Sequence, residues 1–142
     1  MKKTGLGILL ALMSAPLLAG VNDAQATQAI GSFYRQYVFG NKDLADNGTR
    51  VATARMLKKL KQFYEDEFDC DDGKCYAAFA LRTGAQDGSG SSKIVAVSPK
   101  KGGWYRVEYR DMGYKGITDV KVVEADGRIK LDDYKKIFDG SH

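Results

Sequence analysis

The sequence has one histidine, at its last position, and only two cysteines, two prolines and one tryptophan. With His142 at the terminus, a catalytic histidine is effectively excluded. A structural zinc site fails for the same reason, because it needs about four Cys or His ligands. No glycine-rich phosphate loop, nucleophile elbow or paired-histidine metal helix occurs, and no cofactor is expected. No apolar run reaches the roughly twenty residues a membrane span requires, so no stable membrane insertion is expected. The formal net charge is +4, yet the basic residues are scattered. Lys58, Lys59 and Lys61 share a segment with Glu65, Asp66 and Glu67, while Lys100 and Lys101, and Lys135 and Lys136, stand apart. Without a dense basic stripe, nucleic acid is not an expected partner.

What is present begins with a leader. Lys2 and Lys3 precede the uncharged, largely apolar run Leu6–Leu18, which fits a secretory signal peptide. Cleavage is expected between residues 19 and 26, with Ala24-Gln25-Ala26 as the best small-x-small match. This gives a signal peptide over 1–26 and a single domain over 27–142, periplasmic or secreted.

Export changes the meaning of Cys70 and Cys75. In an oxidising compartment two cysteines are read first as a disulfide, and Asp72-Gly73 supplies a turn between them. The spacing has two residues too many for a thioredoxin-type redox pair. A calcium loop counted from Asp69 would need Glu at its twelfth position, where Ala80 stands.

Along the mature chain, Ile30, Phe33, Tyr34, Tyr37 and Val38 recur at helical spacing, with Thr27 as a cap and Gly40 as a stop. "NKDLADNG" reads as a polar connection. Val51, Ala54, Leu57, Leu60, Tyr64 and Phe68 mark a second helix capped by Thr49. The pattern then changes to period two. "CYAAFALR", "KIVAVSP", "WYRVEYRDM" and the two arms around Ala125-Asp126-Gly127 read as strands. In the third of these, Tyr105, Val107 and Tyr109 face one way, and Trp104, Arg106, Glu108 and Arg110 the other. The expected fold is α+β: two N-terminal helices packed on a bent antiparallel sheet of about five strands.

The stretches "IGSFYRQYV", "ATARMLKKLKQFY", "GAQD" and "GGWYRVEY…DVKVVEADGRIKLDDYKKI" resemble a family of small exported bacterial domains of unknown function. That family is similar to the nuclear-transport-factor-two-like, or cystatin-like, superfamily. The resemblance covers roughly residues 29–138. It implies a cone, in which a bent sheet wraps the helices and leaves a cavity. Members of that superfamily include isomerases, dehydratases and cyclases, and many others only bind ligands or proteins, so fold alone does not choose a function.

Candidate sites follow from these readings. Tyr34, Tyr37 and Asp87 are candidate pocket residues, and Asp87 or Glu108 is the carboxylate a proton-transfer site would use. Trp104, Arg106, Glu108 and Arg110 form a candidate binding face, since Trp and Arg are enriched at binding hot spots. Glu108, flanked by two arginines, is expected to pair with charge across strands. No catalytic residue is assigned. The expected role is an exported binding or accessory protein of the bacterial envelope that is not an enzyme, with a protein or small-molecule partner. The alternatives are an inhibitor or immunity protein for an envelope-directed enzyme, and a small-molecule-binding cone with weak isomerase or cyclase activity.

Overall fold

The computed structural model describes residues 21–84 and 88–141. The leader run and Asp87 lie outside the described residues. Among the described residues, three α-helices precede a four-stranded antiparallel sheet of order β1-β2-β3-β4.

Helix α1 spans Asp23–Phe33 and starts earlier than the Thr27 cap predicts. The Asn22 side chain accepts from the amides of Ala24 and Gln25 and so caps it. It runs on into a π-helical turn, Tyr34–Val38, closed by the Phe39 amide donating to the Tyr34 carbonyl. That turn brings Tyr34, Tyr37 and Val38 to the core together. Gly40 then lets the backbone leave, because a Cβ there would lie 2.3 Å from the Arg35 carbonyl oxygen.

The stretch expected as a polar connection contains helix α2, Leu44–Val51. Asp43 caps it by accepting from Ala45 N, Leu44 is buried, and the helix kinks at Asn47. Its polarity hides it in the sequence, where Asn-Gly signals a turn. Helix α3, Ala54–Glu67, is capped by Thr53 rather than Thr49, and it buries Met56, Leu57 and Leu60.

The segment "CYAAFALR" is not a strand. It forms a single 3₁₀ turn, Ala78–Leu81, and the Ala77 amide donates to Leu60 O of α3. Small alanines fit a pleated sheet poorly. The far edge of the sheet is also taken, since Ala52 bridges Leu131 and the Thr53 amide donates to Leu131 O.

The strands are β1 (Lys93–Pro99), β2 (Trp104–Asp111), β3 (Tyr114–Ala125) and β4 (Arg128–Ser141). The β2–β3 and β3–β4 turns are two residues each, with positive φ at Met112 and Gly113 and at Asp126 and Gly127. The second is the hairpin read around Ala125-Asp126-Gly127. On β2 the expected alternation holds, with Tyr105, Val107 and Tyr109 buried against the helices. They meet Phe33, Tyr34 and Tyr37 in one core with Val120, Val122, Leu131 and Tyr134. The outer edge, β1, carries Lys93 at its start, a bulge between Ile94 and Ala96, and Pro99 at its end. Each of these discourages pairing with another strand.

Candidate functional site

At the C-terminal end of α3, aromatic rings gather in the open. Phe63 lies off the buried stripe of the helix. Phe68 follows the last turn in extended conformation, and Phe79 sits in the 3₁₀ turn. Their exposures are 42, 54 and 42 %. They touch one another: Phe63 to Phe79 at 6.0 Å and Phe68 to Phe79 at 6.3 Å between centroids, with Tyr64 beside both Phe68 and Phe79. Such edge-on pairs are favourable beyond their buried area, which orders the cluster without covering it.

The Cys70–Cys75 disulfide lies just beyond Phe68, with Cα atoms 6.0 Å apart. The Asp72 carboxylate accepts from Lys74 N and sits 3.5 and 3.7 Å from the two sulfurs. With both sulfurs bonded to each other, no thiolate is left for a metal. The loop is a staple that returns the chain from α3 to the 3₁₀ turn.

The cluster forms one wall of a groove of about 790 Å³. Opposite it stand Arg82, Thr83, Met112, Lys136 and Asp139. This wall is held by Asp111, whose buried carboxylate accepts from Arg82 Nε (2.9 Å) and Nη2 (2.5 Å), Thr83 N and Oγ1, and Ser92 Oγ. Burial raises the Asp111 pKa, but the bonds from Arg82, Ser92 and Thr83 outweigh it and hold the carboxyl below its usual value. Arg82 also donates to Val38 O and lies over the Phe39 ring. Lys136 Nζ donates to Arg82 O, and its pKa is lowered, chiefly by burial. Gly84 N donates to Asp139.

Met112 stands at φ 53°, where a side chain is disfavoured and Asn, Asp or Gly is usual. The residue held in that strained conformation lines the same groove as the three exposed phenylalanines. Methionine adapts its shape to apolar partners.

Of the sequence-predicted pocket residues, Tyr34 and Tyr37 lie elsewhere. Tyr34 is fully buried, donates to Leu81 O at 2.9 Å, and packs on Phe39 and Tyr109. Thr118 Oγ1 also donates to Leu81 O and accepts from the Tyr109 hydroxyl. Burial raises the pKa of Tyr34 and pushes that of Tyr109 up to about 12. Tyr37 packs on Phe33. These rings fill the space between helices and sheet.

Trp104, Arg106, Glu108 and Arg110 do share the outward face of β2. Trp104 is half-buried under Lys135. Arg106 makes a two-point bond to Asp119, which also takes Lys100. Glu108 makes no ion pair among the described residues, because its β3 neighbour is Ile117. The pairing expected of Glu108 is made instead by Asp119, one row away. Sequence reasoning missed Phe63, Phe79, Met112 and Asp111. The available signals were a phenylalanine off the helical stripe and a methionine where a tight turn wants Asn or Gly.

No family model and no curated protein sequence matches the chain. In fold it is similar to a protein of unknown function from Bacteroides thetaiotaomicron, whose crystal structure was solved at 2.10 Å resolution. The TM-score is 0.55 and the identity 19 %, over 90 % of this chain and 98 % of that one. At that identity the likeness concerns the fold alone.

Proposed function

We propose that this chain is an exported binding or accessory protein of the bacterial envelope, not an enzyme, and that it grips a protein partner with Phe63, Phe68 and Phe79. The observation that carries this is an exposed aromatic cluster with a charged rim of Glu67, Lys136 and Asp139 around one groove. Protein interfaces place aromatic anchors at the centre and polar groups around them. The carboxylates of the groove wall favour binding over proton transfer, since Asp111 is held by five donors and Asp139 by Gly84 and Lys136. An inhibitor or immunity protein for an envelope-directed enzyme is one form such binding takes. The disulfide fits an oxidising compartment, and the nuclear-transport-factor-two-like superfamily remains our reading of the fold's ancestry.

Processing belongs to the same reading. Asn22 caps α1, Asp23 accepts from the Tyr105 hydroxyl at 2.5 Å, and Ala26 is fully buried. Cleavage after Ala26 would remove all three, so we place it on the N-terminal side of Val21.

A photo-crosslinking residue at position 79, introduced in the exporting cell, tests the binding surface. One discrete adduct from position 79, absent from position 95 on β1 and abolished by Phe63→Ser, is the expected result. No adduct, or equal adducts from both positions, would overturn the proposal. Saturable uptake of an apolar dye without any protein adduct would point to a small ligand instead.

A further inference from the structure

Strand register fixes which side chains share the outward face of the sheet. Directly opposed residues in antiparallel strands project to the same side. Lys93 of β1, Arg110 of β2 and Lys115 of β3 therefore form one row across three strands. All three are exposed. Among the described residues none of them has a carboxylate partner, and Arg110 reaches only the Gly113 carbonyl, at 3.4 Å. Like charges opposed in a sheet destabilise it, so this row weakens the fold and gains nothing within it. Rules broken without internal compensation mark functional positions.

The next row is Ala96, Glu108, Ile117 and Phe138. Phe138 is 41 % exposed. The third row is Ser98, Arg106, Asp119 and Lys135, in which Asp119 is neutralised by Arg106 and Lys100. An apolar strip, Ile117 and Phe138, thus runs between two cationic rows. Glu108 is the carboxylate in the strip. This face lies on the other side of the sheet from the buried Tyr105, Val107 and Tyr109.

We propose that this face adsorbs the protein peripherally on an anionic lipid surface. Headgroup phosphates would meet the Lys93–Arg110–Lys115 row, and Phe138 would enter the headgroup boundary. The apolar strip decides between partners, since it gains from a lipid interface and nothing from a dissolved polyanion. Cations near such a surface and apolar side chains at its boundary both contribute to attachment. Among the described residues no helix is long and apolar enough to cross a membrane.

The test is co-sedimentation of the full mature protein with phosphatidylcholine vesicles, with and without phosphatidylglycerol. Binding should require phosphatidylglycerol and fall as salt rises. Arg110→Gln and Lys115→Gln should each weaken it about fivefold, the effect of one surface cation. Glu108→Gln should strengthen it, and Phe138→Ser should weaken it at every salt concentration. If the strand variants fail to fold, Lys93→Gln at the exposed sheet edge gives the same readout, checked by circular dichroism. Equal binding to neutral vesicles, no binding to either, or binding unchanged in the charge variants would overturn the proposal. Competition by soluble polyphosphate with no effect of Phe138→Ser would overturn it in favour of a dissolved polyanion. None of these outcomes touches the aromatic groove, which stands or falls by crosslinking.

Discussion

The ring of Tyr109 occupies the space a side chain at position 116 would need. A Cβ on Gly116 would lie 2.2 Å from Tyr109 Cε2 and 2.4 Å from Cζ. The two residues are direct cross-strand partners. The glycine is what admits the ring, and the ring in turn carries the hydroxyl that bonds Thr118.

Gly116→Ala should therefore destabilise the domain by about 1–3 kcal/mol, the usual cost of overpacking a core. Urea unfolding at neutral pH measures it as a lower midpoint. Gly127→Ala, whose added methyl meets nothing within 4 Å, is the comparison for turn strain alone.

Asp111→Asn should cost about 3–5 kcal/mol, because it leaves the Arg82 guanidinium without its counter-charge. Thermal unfolding would show the loss. Faster hydrogen exchange at Thr83 and Met112 would show that the groove wall loosens as well.

Acid should unfold the domain through Asp111, Asp119 and Asp133. Arg106 and Lys100 lower the Asp119 pKa. For Asp133, burial raises the pKa, but Lys59, the Tyr134 amide and Arg55 outweigh it. Groups held below their unfolded value of 3.8 bind fewer protons folded than unfolded. Their stabilisation is complete at neutral pH and lost as pH falls below about 4 and through their folded values. Melting temperature against pH should be flat near neutrality and drop in that acid range. The drop should be smaller in Arg106→Gln, where Asp119 has lost its main partner.

Met112→Asn should raise stability by roughly 0.5–1 kcal/mol, since Asn tolerates the left-handed region better. It should also weaken crosslinking from position 79. A gain in stability coupled to a loss of binding is what a strained functional residue predicts. A loss of stability would mean that the methionine serves the core.

The sheet was largely legible in the sequence because alternation reports a half-buried strand directly. "WYRVEYRDM" and the hairpin at Asp126-Gly127 were read from residues alone. Helix α2 was not, because Leu44 is its one fully buried apolar side chain and its cap, Asp43, sits in a polar run. The run "CYAAFALR" misled because small apolar residues suit a turn packed on a helix as well as a strand. The exposed groove was illegible for a different reason. It assembles Phe63, Phe79, Met112 and Lys136 from four separate segments, and no spacing in the chain announces that they meet.

The bridge between Ala52 and Leu131, with the Thr53 hydroxyl on Asp132 and Lys59 on Asp133, ties the helical half to the last strand synthesised. The first half of the chain has no sheet to rest on until the second half exists, so folding must wait for nearly the whole sequence. The N-terminal segment cannot lock into its final shape before β4 is there to receive it.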